Sequence, residues 1–414
     1  MKNMNTIAAG LITVLCVSFS FQGCNASKEP VLPSKGLRPG SGGETTDVQW
    51  HEKAYETFKT VENLYGNQWG LFNENYPKQK GDGDASFLWP YDGMISAVAN
   101  LNRLGYNVDY ASRVERYEMY ASNIAPGGPG YSSGAGGYGE RYYDDNSIVG
   151  INLVEAYNQL GKQEYLERCA KIVKFLKTGK DNTFGGGLWW CEQMINQPEN
   201  SSKGSNKPAC ANGFAQWFLL GYYEICPSSE KADVLALAKE LYQWVYNTLQ
   251  DDDHVYLNDK GADGKLHSTK WAYNSAAMII AGQRLAKITG ENHYLEEAIT
   301  TADAAYNYFV RPRGDIALSY PLSDPWFTVK LIHAYIELIP DHPACEAYVE
   351  TFVSNLKRAW THGRQTNGLW YEDWSGVSNV DRDCSLLMQA AAIDALSTIA
   401  LYKGEQKNEG QSDE

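Results

Sequence analysis

The stretch Gly161-Lys162-Gln163-Glu164-Tyr165-Leu166-Glu167-Arg168-Cys169-Ala170 returns later in the chain as Gly290-Glu291-Asn292-His293-Tyr294-Leu295-Glu296-Glu297-Ala298. In each copy a glycine ends one amphipathic run and a Tyr-Leu pair opens the next, the pattern of a tight turn between two helices. A second echo, Gly70-Leu71-Phe72, Gly187-Leu188-Trp189 and Gly368-Leu369-Trp370, follows a helical segment each time. Repeated helical hairpins cannot bury their apolar faces alone and must close against one another.

Outward from these echoes, apolar residues keep a 3.6-residue period over 48–65, 91–104, 108–121, 145–160, 163–178, 210–225, 229–249, 270–288, 291–309, 323–338, 343–361 and 381–402. Strand alternation is almost absent. Short connections alternate with long ones rich in Gly, Trp and Asp. Twelve helices in six pairs most simply form an all-α (α/α)6 barrel with the long loops gathered at one rim. An open α-solenoid also explains the helices, but not the crowding of Trp, Gly and Asp into alternate connections.

The 414 residues carry a formal net charge of -14, with 36 Lys+Arg against 50 Asp+Glu, so nucleic acid is excluded as the main partner. Aromatic content is high, with 28 Tyr, 12 Trp and 12 Phe, many of them beside Gly, Asn and Asp in loops. Loop aromatics suit flat, hydroxyl-bearing ligands such as sugars. Lys2 and the apolar run Ile7 to Phe21 form an export leader, and Phe21-Gln22-Gly23-Cys24 resembles a lipobox. The expected order is a lipoprotein signal peptide (1–23), a flexible tether (24–47), the helical domain (48–403) and a polar tail (404–414). A lipid on Cys24 would hold a monomer at a membrane surface, at the cell surface or the periplasmic face of the outer membrane. A plain secretory signal is the alternative.

Six cysteines remain outside the leader, Cys169, Cys191, Cys210, Cys226, Cys345 and Cys384; an exported location permits disulfides, but the spacing dictates no pairing. With no CxxC and scattered histidines, no metal site is expected. Asp251-Asp252-Asp253 lacks the alternating ligands of a calcium loop and reads as a solvated turn.

The sharpest chemical signal is Asp144-Asp145, in Gly136-Gly137-Tyr138-Gly139-Glu140-Arg141-Tyr142-Tyr143-Asp144-Asp145-Asn146. Glycoside hydrolysis needs two carboxyl groups about the scissile bond, and repulsion between neighbours keeps one protonated as an acid. Adjacent side chains splay by about 100° on a regular helix, so the pair works best where a loop becomes a helix. Ordinary capping of a helix start is the competing reading. Tyr142 and Tyr143 would wall the cleft, and the glycine run before them would let the backbone press close to a sugar. Trp89, Tyr91 and Asp92 would line a subsite or pack the rim. At least one of Trp189 and Trp190 would face the cleft, unless both are buried. Tyr273 and Asn274 would touch ligand or merely open a helix. Tyr371-Glu372-Asp373-Trp374 would extend the cleft or pair with Arg364 and Arg382.

Glu140-Arg141-Tyr142-Tyr143-Asp144-Asp145-Asn146 before an apolar helix resembles the Asp-Asp signature of glycoside hydrolase family 76, the endo-α-1,6-mannanases. Gly186-Gly187-Leu188-Trp189-Trp190 is similar to that family's GG(I/L)WW, and Lys270-Trp271-Ala272-Tyr273-Asn274 to its W-x-YN helix start. Phe87-Leu88-Trp89-Pro90-Tyr91-Asp92-Gly93 sits where the family has an aromatic rim loop. The chain departs from the pattern at Lys207-Pro208-Ala209-Cys210-Ala211-Asn212, where a Lys-Asn pair is usual, and at Pro325-Trp326-Phe327-Thr328-Val329-Lys330. The resemblance implies an (α/α)6 barrel, α-mannan as substrate, retention of configuration and no cofactor. It makes Asp144 the nucleophile and Asp145 the acid/base. The alternatives are a transglycosylase, a hydrolase or lyase of anionic glycans on the same fold, and a surface lipoprotein that binds glycan without cleaving it. Anionic glycans call for Arg, Lys or His facing the substrate, and the Trp/Gly loops are poor in these. A non-catalytic binder would have lost one acid, and both are present.

Overall fold

Two kinds of helix differ in how they bury their residues. Helix α5 (Gln163–Thr178) hides Tyr165, Leu166, Cys169, Ile172, Val173 and Leu176, a stripe on one side with solvent on the other. Helix α12 (Leu386–Tyr402) is buried at every position from Leu386 to Ala400, so it has protein on all sides. A computed structural model shows how these two kinds alternate; it describes residues 49–124, 127–321, 323–374 and 384–407. The leader, the tether with Cys24, Arg382 and the tail from residue 408 lie outside the described residues.

The remaining helices are α1 (Trp50–Tyr65), α2 (Leu88–Arg103), α3 (Tyr110–Glu115), α4 (Tyr143–Leu160), α6 (Ala209–Ile225), α7 (Ser228–Leu249), α8 (Ala272–Thr289), α9 (His293–Phe309), α10 (Pro325–Leu338) and α11 (Cys345–His362). The even-numbered helices pack in the order α2, α4, α6, α8, α10, α12 and back to α2, a closed ring. The odd-numbered ones sit outside, α1 on α12, α5 on α4, α7 on α6, α9 on α8 and α11 on α10, with α3 against α2 and α4. This is the (α/α)6 barrel expected from the sequence. Gly161 and Gly290, the two echoed glycines, close α4 and α8 with φ of 68° and 75°. That left-handed cap frees the chain to reverse within a residue or two.

Every long connection runs from an outer helix to the start of an inner one, so the six inner N-termini share one rim. These connections hold the strands that the sequence did not announce. Short ladders join Ala121–Ile124 to Gly128–Tyr131, Asn75–Tyr76 to Cys384–Ser385, and Asn206–Pro208 to Leu257–Gly261 and Leu266–Lys270. They run two to five residues, too short for alternation to register. The helix expected over 108–121 is also corrected, since α3 gives way to a 3-10 turn, Arg116–Tyr120. In that tighter turn residues three apart eclipse, and Tyr117 and Tyr120 both point inward, onto Asp92 Oδ1 (2.7 Å) and the Ser86 carbonyl (2.9 Å).

A buried polar knot joins α2, α10 and α12. Asp394 takes Lys330 Nζ at 3.0 Å, His333 Nε2 at 3.0 Å and Asn100 Nδ2 at 3.0 Å. Burial works against this charge, but Lys330 and His333 outweigh it and hold the carboxyl below its ordinary range. The six cysteines among the described residues are buried, and no disulfide joins them. Among the described residues no helix is long and apolar enough to cross a membrane.

The ring closes tightly where α4 meets α6. A Cβ added at Gly150 would stand 2.5 Å from the Phe218 ring, and one at Gly213 would stand 2.7 Å from Ala277 Cβ on α8. Gly150→Ala is therefore expected to lower the unfolding free energy by about 1–3 kcal/mol despite alanine's better helix propensity. Chemical denaturation of parent and variant checks this; a variant as stable as the parent would overturn it.

Candidate active site

Helix α4 begins where the chain leaves an extended segment, Tyr142 (φ -99°, ψ 139°) standing at the cap. The Tyr143 amide donates to the Trp190 carbonyl at 2.9 Å, and Tyr142 bridges Cys191, so the loop ending in Trp190 runs alongside the helix entrance. Asp144 and Asp145 occupy the first turn, both half-buried. The free amides and positive dipole end of that turn favour carboxylates there.

The two carboxyls live in different surroundings. Asp144 Oδ2 accepts the Trp190 indole Nε1–H at 2.9 Å and the Cys210 thiol at 3.2 Å, while Oδ1 takes the Asp145 amide at 3.1 Å. Burial raises the Asp144 carboxyl above its ordinary value, and those three donors oppose the rise. The Asp145 carboxyl has no such donor among the described residues. Burial, then the neighbouring Asp144 and Asp92 charges, push it well above the ordinary carboxylate range. Two adjacent carboxyls so treated differ in the way an acid/base division of labour requires.

The loop that delivers Trp190 is held from below. Lys207, buried on the strand Asn206–Pro208, donates to Asp181 Oδ1 at 2.5 Å and to the carbonyls of Thr183, Gly186 and Gly187 at 2.9, 2.6 and 3.1 Å. Asn212 on α6 binds both the amide and the carbonyl of Leu188, at 2.7 and 3.1 Å. Trp189 is buried, its indole donating to Asp181 Oδ2 at 2.9 Å. Of the tryptophan pair, Trp190 faces the carboxylates and Trp189 is structural. Lys207 and Asn212, five residues apart where a Lys-Asn pair was expected, both serve to fasten Gly186–Trp190.

Several expected ligand contacts are corrected by burial. Tyr91 and Asp92 are fully buried on α2, Tyr91 Oη donating to the Arg113 carbonyl at 2.8 Å. Neither presents a surface to a sugar. Asp92 lies beneath the pair instead, with burial raising its carboxyl well above the ordinary range and with Oδ2 lacking a protein partner. Tyr143 turns outward, stacked on Phe175 of α5 at 4.8 Å, because successive side chains on a helix point about 100° apart. Asn274 is 1% exposed on the inner face of α8. Two glycines of the run press on protein: a Cβ at Gly127 would meet Glu192 Oε1 at 2.0 Å, and one at Gly130 the Phe175 ring at 3.2 Å. Arg141, fully buried, pairs with Glu192 and ties these loops together.

Tyr142, Trp89 and Tyr273 stay half-exposed at the rim. Tyr142 leans on Trp190 with ring centroids 4.9 Å apart. Trp89 and Tyr273 both meet Phe327 at the start of α10, at 6.2 and 4.4 Å, and Trp271 meets it at 5.2 Å. The sequence reading missed Phe327 and Cys210 as site residues. Their signal was position alone, in the first turn of an inner helix. Asp251 and Asp253, read as a solvated turn, pair with Lys270 at 2.6 and 2.8 Å. Arg364 pairs with Glu56, and no cluster of metal-ligating groups occurs among the described residues.

The model of Glycosyl hydrolase family 76 matches residues 49–403. A family 76 glycoside hydrolase (mannosidase) from Bacteroides thetaiotaomicron VPI-5482 superposes with a TM-score of 0.75 at 22% identity, covering 86% of this chain and 100% of that one. The α-1,6-mannanase of Salegentibacter sp. HEL1_6 gives 0.68 at 21% identity over 85% of this chain and 99% of its own. An inactive variant of that mannanase, with two consecutive aspartates replaced by asparagine and α-1,6-mannotriose bound, gives 0.68 at 20% over 85% and 99%. No curated protein matches significantly.

The raised Asp145 carboxyl has a consequence for stability. Ionising it costs folding free energy, so its contribution is fully present below the unfolded value of about 4 and is lost as the pH climbs through the folded value. Asp145→Asn removes that cost. It is expected to melt above the parent at about pH 7–8, the difference closing toward about pH 4. Calorimetry across that range checks the sign; a variant melting below the parent at neutral pH would sink it.

Proposed function

The chain belongs to glycosyl hydrolase family 76 and is a glycoside hydrolase, and from that premise we propose that it cleaves α-1,6-mannosidic linkages inside mannan with retention of configuration. The observation that carries this reading is the unequal treatment of the adjacent carboxyls. Asp144 has donors that favour its ionised form, both side-chain donors falling on Oδ2. Oδ1, which takes the Asp145 amide and no side-chain donor among the described residues, is then the oxygen that attacks the anomeric carbon. Asp145, undonated and pressed by negative neighbours, keeps its proton at neutral pH and delivers it to the departing glycosidic oxygen. Asp145 next takes a proton from water, which hydrolyses the glycosyl-enzyme and restores both groups.

Two further observations support the substrate. The related mannanase is inactivated by replacing two consecutive aspartates, and its variant holds α-1,6-mannotriose. This chain has consecutive aspartates only at 144–145 and 251–253, and the second run is spent on Lys270. Rings also stand on opposite sides of the inner ring, Tyr142 and Trp190 at α4, and Trp89, Tyr273 and Phe327 toward α10. Faces on both sides let sugar units bind on either side of the cleaved bond, the arrangement of chain-internal cleavage. The proposal includes a monomer on a lipid anchor at the cell surface or the periplasmic face of the outer membrane, a reading that the leader-like run and Cys24 support.

Asp144→Asn and Asp145→Asn are each expected to lose roughly 10³-fold or more of activity on linear α-1,6-mannan while keeping the helical circular-dichroism spectrum. Proton NMR of the first product from the parent is expected to show the α-anomer ahead of mutarotation, as internal fragments rather than mannose. Full activity in either variant, or the β-anomer first, overturns the assignment. Longer products than the substrate would identify transfer instead of hydrolysis. Separately, a palmitate label is expected on the exported parent and absent from Cys24→Ala; equal labelling would refute the anchor.

A further inference from the structure

Cys210 stands in the first turn of α6, the inner helix beside α4, and nothing in the spacing of the sequence marks it. Its Sγ lies 3.2 Å from Asp144 Oδ2, the same oxygen that Trp190 Nε1 reaches at 2.9 Å. The residue is 9% exposed and forms no disulfide. Tyr273, from the first turn of α8, is an electrostatic neighbour of the thiol. Three inner helices thus meet around one sulfur. We propose that Cys210 is a positioning residue for glycosidic cleavage, its S–H donating to Asp144 Oδ2 so that the carboxylate stays ionised with Oδ1 toward the sugar. The proposal rests on the reading of Asp144 as nucleophile.

Sulfur chemistry makes the choice of residue intelligible. A thiol is a weak donor, so it orients and modestly stabilises the carboxylate without the near-neutralisation that a lysine or arginine would impose. Burial, then the Asp144 charge, push the thiol well above its ordinary value. It therefore remains S–H over the working range and never becomes a second anion beside the nucleophile. Besides Cys210, the titratable groups that face Asp144 are Asp145 on its own helix, Asp92 on α2, Tyr273 on α8, and Tyr142 and Cys191 at the helix entrance. All are acids. None can replace a lost donor by supplying positive charge.

The test compares Cys210→Ala and Cys210→Ser with the parent as profiles of kcat/KM against pH on linear α-1,6-mannan. Cys210→Ala is expected to move the acid limb upward by about one pH unit, a loss of roughly ten-fold below that limb, with the alkaline limb in place. Cys210→Ser, which keeps a donor, is expected to return the limb toward the parent. An alanine variant whose activity falls uniformly, with its acid limb unmoved, has lost only packing, and the proposal fails. If the parent does not cleave this mannan, the substrate reading fails, and a ¹³C NMR titration of the aspartate carboxyls in parent and Cys210→Ala decides the hydrogen bond without turnover. There the Asp144 signal is expected to titrate higher in the variant; coincident titrations overturn the proposal.

Discussion

Six helices that are buried nearly all round cannot face water, so they must face one another, and that single constraint arranges everything else. Closure of α2, α4, α6, α8, α10 and α12 into a ring fixes them side by side. Because each is entered through a long loop and left through a short one, all six N-termini fall on one rim. Free amides and positive dipole ends converge there. A negatively charged pair belongs at such a place for physical reasons before any chemistry is asked of it. The barrel supplies the electrostatic ground, and the loops supply the chemistry.

Closure also has a cost, visible in the polar groups that the inner faces trap. Asp92 Oδ2, both side-chain atoms of Gln216 and of Asn274, and the hydroxyls of Ser275 and Thr328 are buried without protein partners. They stand on α2, α6, α8 and α10, the same helices whose first turns build the cleft. By contrast, Asp394 is buried but paired, with Lys330 and His333. Active sites commonly sit at such concentrations of destabilising polarity.

The fold was legible because its signal is periodic. Helices such as Gln163–Thr178 coincide with the stretch read from spacing alone, and the turn glycines at 161 and 290 mark their ends. Strand pairs of two to five residues were not legible, since their partners lie far apart in sequence, Asn75 opposite Ser385 for example. Of the candidate site residues, Asp144, Asp145, Tyr142 and Trp190 lie together at one helix entrance, and each belongs to a short motif. Direction was beyond reach. Whether Tyr142 or Tyr143 faces the cleft depends on one residue of helical phase, and whether Trp189 or Trp190 does depends on how Lys207 and Asn212 pin a glycine loop. Tyr91 and Asp92 looked like rim residues because the helix was expected to begin at 91; it begins at Leu88, which carries both a turn deeper into the core.

What separates two chemically identical, adjacent side chains is therefore tertiary. Neighbouring aspartates in a first turn share the same dipole, the same backbone and nearly the same burial, so local structure gives no reason for them to differ. The difference comes from elements more than forty residues away: an indole at 190 and a thiol at 210, both turned onto one oxygen of Asp144. Asp145 receives instead the repulsion of Asp144 and of the buried Asp92. A donor to one carboxyl favours its ionised form, and charge there raises the proton affinity of the other. The two carboxyls are thus coupled, and charge on Asp144 is part of what raises Asp145.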